Sequence, residues 1–353
     1  MKNKILCTLL LSFLVASIDI SGDARFRPRY DIKKNGDETS TSDMYYLYRA
    51  RLNLKADIGE GWFFSTKLSS NGASNMTQMG NNDPGSHLEG PGNINSSRPS
   101  VFFTELYFGY SNEKCGLWVG AFPIKYNPSL DLHFYPDKLV DVPFATYNYS
   151  STTGLAGYKT LLNQKINWFL SVDENITNTQ EMLDCCGEIE TTKASDMYTY
   201  GTETKLSVGP VSLAPRLLIS FGGSEQGLGA ITYGAELGLP KLAGIASSLS
   251  FHQSSNGSDG DDDYYSANHL RFLTSYSLES GKLKFFYDIA KKDSDQVDFV
   301  WLSYTHTCFK GEFGTVSISP TLRLQSGTGA GSDDFDDGFT RSKFELTTQI
   351  KFR

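Results

Sequence analysis

After its first seventeen residues the chain contains no apolar run long enough to cross a bilayer as a helix, which takes about 20 residues. Histidine and cysteine are scarce, five of each in 353 residues, and no spacing among them matches a zinc site. No metal and no cofactor is therefore expected. Neither a phosphate-binding glycine loop nor a nucleophile elbow occurs, and His133, His252, His269 and His306 show no Ser or Asp partner pattern of a hydrolase. Positive charge is not in excess: 32 Lys and Arg against 40 Asp and Glu leave −8, which argues against a nucleic-acid partner. No Pro- or Gly-rich linker divides the chain, so it reads as one large domain.

What is abundant is glycine (33), tyrosine (19) and phenylalanine (23), in a chain whose mean hydropathy is still negative at −0.32. Lys2 and Lys4, the apolar run 5–15 and the small residues Val15, Ala16 and Ser17 form an export signal over 1–17. The mature domain is expected over 18–353, outside the cytoplasm. Cys115, Cys185, Cys186 and Cys308 would remain, with no spacing that suggests a disulfide framework.

The first mature segment decides the class. Over 18–30, Ile18, Ile20, Gly22, Ala24, Phe26, Pro28 and Tyr30 alternate with Asp19, Ser21, Asp23, Arg25, Arg27 and Arg29. Alternation this long suits a strand whose two faces meet different solvents. Over 45–58 the pattern recurs, with Tyr46, Tyr48, Ala50, Leu52, Leu54, Ala56 and Ile58 on one face and Arg49, Arg51, Asn53, Lys55 and Asp57 on the other. Pairing Tyr30 with Met44 would set Arg25 beside Arg49, Asp23 beside Arg51 and Asp19 beside Lys55. Further runs over 62–70, 101–110, 117–123, 152–160, 166–173, 198–208, 211–221, 230–239, 245–252, 269–278, 283–290, 296–305, 315–325 and 340–352 bring the total to about sixteen strands.

The connections alternate in length. Short turns fall at 57–61, 111–116, 161–165, 209–210, 240–244, 279–282 and 308–314. Mostly longer polar segments separate them, at 31–43, 71–100, 124–151, 174–197, 253–268 and 327–339, with briefer ones at 222–229 and 291–295. A soluble sandwich has no reason to sort loop length by parity, whereas an outer-membrane barrel has short periplasmic turns and long external loops. The expected fold is all-β, a transmembrane antiparallel barrel of about 16 strands.

With its strand directly after the signal and its closing run of Phe344, Leu346, Ile350 and Phe352, the chain resembles the bacterial general-diffusion porins. Arg353 follows Phe352, where that family usually stops on the aromatic. The resemblance implies a water-filled channel for small hydrophilic solutes, a homotrimer, and outer-membrane lipid and lipopolysaccharide as surroundings. Two alternatives stay open: a porin specific for anionic solutes such as phosphate or acidic sugars, and an outer-membrane enzyme or adhesin.

Arg25, Arg27, Arg29, Arg49, Arg51 and Lys55 share the non-lipid face of the first two strands. One arginine facing lipid at the midplane costs about 2–4 kcal/mol, so this face is expected to line water. It could tune pore electrostatics or merely form a salt-bridged wall. The resemblance makes 124–151 a candidate constriction loop, with Asp131, Asp137 and Asp141 opposed to the arginines across a narrow waist. The acidic runs Asp259, Asp261–Asp263 and Asp333, Asp334, Asp336, Asp337 read as external loops.

Overall fold

The computed structural model describes residues 17–36, 39–70, 76–79, 101–124, 151–176, 180–183, 189–192, 195–222, 231–256, 265–292, 295–328 and 338–353. Sixteen strands build one wall. They are β1 Ser17–Asn35, β2 Ser40–Gly59, β3 Trp62–Ser69, β4 Phe102–Ser111, β5 Cys115–Pro123, β6 Ser151–Leu161, β7 Gln164–Ile176 and β8 Ser195–Thr204. These are followed by β9 Val211–Gly222, β10 Ile231–Gly238, β11 Ile245–Asn256, β12 Tyr265–Leu278, β13 Gly281–Lys292, β14 Asp295–Lys310, β15 Gly314–Thr328 and β16 Phe339–Phe352. Each strand pairs antiparallel with the next, and β16 pairs with β1, so the sheet closes on itself. Closure pairs the first strand with the last instead of leaving two open sheet edges, as a hydrocarbon environment demands. Leu206–Val208 prolongs β8 along β9, Thr77–Gln78 pairs with β2, and Gln180–Leu183 with Ile189–Thr192 forms a separate hairpin.

The two faces of the wall invert the usual order. Ile18, Phe26, Tyr46, Phe108, Leu117, Leu346 and Ile350 point outward and are exposed, each between 41 and 56 % except Ile18 at 63 %. Such an apolar exterior is far larger than a soluble monomer tolerates. The buried residues are largely polar and face inward: Asp23, Arg49, Asp288, Arg323, Lys343 and Glu345 among them.

At one end the strands turn tightly. Leu162 and Asn163 make a two-residue turn with φ of 49° and 62°, the left-handed pair whose twist suits a hairpin. At the seam between β1 and β16, Gly22 lies opposite Phe352. A Cβ on Gly22 would collide with the Phe352 ring and with the Arg51 carbonyl, so only glycine leaves room for that ring.

All sixteen expected strands are present, and the first hairpin has the anticipated register: Tyr30 opposite Met44, Arg25 opposite Arg49, Asp23 opposite Arg51, Asp19 opposite Lys55. One expectation is corrected. The segment 31–43 is not a long loop; β1 runs to Asn35 and β2 starts at Ser40, leaving a tight connection. Beyond the apolar belt both faces meet water, so Lys33, Lys34, Thr41 and Ser42 stay in the ladder without an apolar period to betray them. Cys115 and Cys308 are free thiols, while Cys185, Cys186 and the acidic runs at 259–263 and 333–337 lie outside the described residues.

Candidate functional site

Four neighbouring strands, β15, β16, β1 and β2, turn a band of positive charge toward the interior. Asp23 centres the first cluster. Arg51 approaches it with Nε at 2.5 Å and Nη2 at 3.1 Å, Arg25 Nε lies 3.1 Å away and Arg49 Nη2 3.4 Å away. Gln349 Nε2 donates to the same carboxylate at 3.0 Å. The register dictates this grouping, since Arg51 lies directly across from Asp23 and Arg25 sits between Arg49 and Gln349.

Glu345 on β16 centres the second cluster. Arg29 Nε donates to it at 2.6 Å, Arg323 Nη2 lies 2.7 Å away and Arg27 Nη1 3.7 Å away. Arg27 Nε also donates to Thr347 Oγ1 at 2.7 Å. In the third cluster Arg341 grips Asp31 with two bonds of 2.9 and 2.8 Å, the fork geometry that makes such pairs strong. Lys343 Nζ stands 3.5 Å from Asp31 and the Tyr45 hydroxyl donates to it at 3.2 Å.

The set holds eight cations, Arg25, Arg27, Arg29, Arg49, Arg51, Arg323, Arg341 and Lys343, around three carboxylates. It is therefore both a salt-bridged wall and a positive one. Arg25 and Arg51 retain 26 % and 25 % side-chain exposure, against 6 % for Arg49. The first two can meet a passing solute, while Arg49 works from within the wall.

The band continues through stacked rings. Arg323 lies over Trp301 at 3.8 Å, and Arg271 over Phe286 at 4.8 Å. Arg271 in turn holds Asp288 through bonds of 2.6 and 2.8 Å, beside His269. Guanidinium groups stack on arenes because their flat faces are weakly hydrated.

Five of the anticipated basic residues thus come together and Lys55 does not. It stands exposed nearer the short-turn end of β2, opposite Ser65. Asp131, Asp137 and Asp141 lie outside the described residues. Sequence reasoning missed Glu345, Arg323, Arg341 and Lys343. The alternation Arg341, Lys343, Glu345, Thr347, Gln349 on β16 carried the same signal as β1 and could have placed all of these but Arg323, which lies on β15.

No family model and no curated protein sequence matches the chain. Solved structures do. An anion-selective porin from Comamonas acidovorans superposes with a TM-score of 0.63 at 12 % identity, covering 96 % of this chain and 100 % of that one. The fold is a porin fold. The porin-fold matches include the outer-membrane channel DcaP of Acinetobacter baumannii, with a TM-score of 0.53 at 11 % identity over 96 % and 97 % of the two chains. They also include OmpT of Vibrio cholerae in a trimer form, with a TM-score of 0.52 at 8 % identity over 96 % and 99 %.

Proposed function

We propose that the protein is a bacterial outer-membrane channel, not an enzyme, through which small hydrophilic solutes diffuse passively and anions are favoured. The observation that carries this is the ratio of eight cations to three carboxylates on one side of the inner wall. Fixed charge beside a confined aqueous path raises the local concentration of opposite ions. The Comamonas protein, described as anion-selective, supports the same sign. In this reading residues 1–17 are the export signal, the apolar exterior meets lipid and lipopolysaccharide, and three copies associate, as the Vibrio protein does in one of its forms. Anion-specific transport of phosphate or acidic sugars is the narrower version of the same idea.

The test is single-channel conductance with reversal potentials in a salt gradient. Wild type is expected to prefer chloride over potassium. Replacing Arg49 and Arg51 by Gln should move the zero-current potential toward cations. A double variant with the wild-type potential would mean that these arginines serve the wall alone.

We also propose that 124–151 forms the constriction. Support comes from its two anchors, where Ile124, Phe122, Ala156 and Phe169 build an apolar cluster on the inner side of β5, β6 and β7. Deleting residues around 131–141 should raise conductance if this segment narrows the path. Unchanged conductance through an inserted barrel would make it an ordinary outer loop.

A further inference from the structure

A cavity of about 630 Å³ opens on the inner wall at the short-turn end, in the size range of small-molecule sites, about 300–1,000 Å³. Phe63, Tyr107, Trp118 and Tyr158 line it together with Lys55 and Lys165. The four rings come from β3, β4, β5 and β6, and each occupies an inward position of its strand. Diffusion of hydrophilic solutes gives no reason to gather aromatic side chains there.

The rings do not form a flat shelf. Phe63 stands at 79° to Tyr107 and 60° to Trp118, with centroids 5.9 and 6.4 Å apart. Trp118 is tilted 53° to Tyr158 at 6.1 Å. Mutually inclined rings build a concave box that meets both the face and the edge of a compact flat guest. Tyr158 is held firmly, because its hydroxyl donates to the Asn112 carbonyl and bonds Ser111.

The charges at the rim decide what kind of guest. An aromatic box alone would suit an organic cation. Here Lys165 Nζ already lies 3.6 Å from the Tyr158 centroid and takes that role. Lys55 is exposed and makes no ion pair with a described residue. Glu203, the acid on the lining, is engaged by Arg216 at 2.5 Å. The rim is therefore positive. Lys55 also lies on the same face of β2 as Arg49 and Arg51, so an anion leaving the arginine band meets it next.

We propose that this cavity binds a planar organic anion of the size of benzoate, its ring in the aromatic box and its carboxylate at Lys55 and Lys165. The inference deepens the channel reading, since it assigns that channel a class of preferred solute.

The probe is benzoate, with acetate as the anion of equal charge and no ring. Binding to the full-length folded protein in detergent is followed by calorimetry, and block of chloride current is followed separately in planar bilayers. Benzoate should bind and reduce the current, and acetate should do neither at the same concentration. Trp118→Leu, which keeps the apolar bulk, should weaken benzoate binding about fivefold, and Lys165→Gln about threefold, the order expected for one lost stacking or charged contact. Both variants must retain the β-sheet circular dichroism of wild type; should either not, Tyr107→Leu takes its place with the same expectation. Equal responses to benzoate and acetate, or wild-type binding by folded variants, would overturn the proposal. Benzoate binding without ion conductance would leave the cavity standing and overturn the channel.

Discussion

Asp23 is a place where a single atom group holds three charges. Its carboxylate lies within 3.4 Å of nitrogen atoms on Arg25, Arg49 and Arg51. Asp23→Asn keeps the shape and the acceptor oxygen but leaves three guanidinium groups crowded around a neutral amide. Breaking a buried ion pair by removing one partner costs about 3–5 kcal/mol. A loss of about 3 kcal/mol is expected here, the low end of that range, because Arg25 and Arg51 keep access to water. The same change raises the positive excess of the wall, so anion preference should rise, opposite in sign to the Arg49 and Arg51 replacements. Denaturant unfolding in micelles reads the first effect and the reversal potential the second. A variant as stable as wild type would show that the three arginines do not depend on Asp23.

At the level of the strand, the two solvents make neighbouring residues inequivalent. Ile318 on β15 points outward at 37 % exposure and Ser319 points inward, where its hydroxyl donates to Thr305. Ile318→Arg should cost about 2 kcal/mol or more, since an arginine facing lipid near the midplane loses about 2–4 kcal/mol. Ser319→Arg should stay within about 1 kcal/mol, the price of one exchanged hydrogen bond. Equal losses in unfolding titrations would contradict the facing of β15.

The same inequivalence explains what could be read in the sequence. Strands such as β1 and β2 display it openly, because polar and apolar residues alternate over 18–30 and again over 48–58, and their register followed from one hairpin. On β5 the inward Trp118 lies between Leu117 and Val119, apolar on both parities, so the alternation that would mark an inner aromatic wall is erased. The union of Arg27 and Arg29 with Glu345 was equally hidden. It exists only because residues more than 300 positions apart meet at the seam.

For the whole molecule, loop length sets the orientation. With native cysteines replaced, Thr39→Cys should react with an impermeant maleimide on intact cells and Asn163→Cys should not, because they lie at opposite ends of the wall. Reaction at Asn163 alone would invert the barrel.

Closure carries a cost of its own. The seam joins Arg27 to Thr347 across 320 positions of chain. Until that contact forms, β1 and β16 each present an unsatisfied edge, an invitation to pair with any other strand. Contacts so distant in sequence also form slowly. A half-built wall is therefore the most hazardous form of this polypeptide, sticky along two rims and intolerable to lipid. Export must keep the chain unpaired, and insertion must shelter both rims until the final strand arrives. The ring of Phe352 seated over Gly22 is then the latch of an all-or-none event, and a bulkier residue at 22 should trap open, aggregating sheets while leaving every other hairpin able to form.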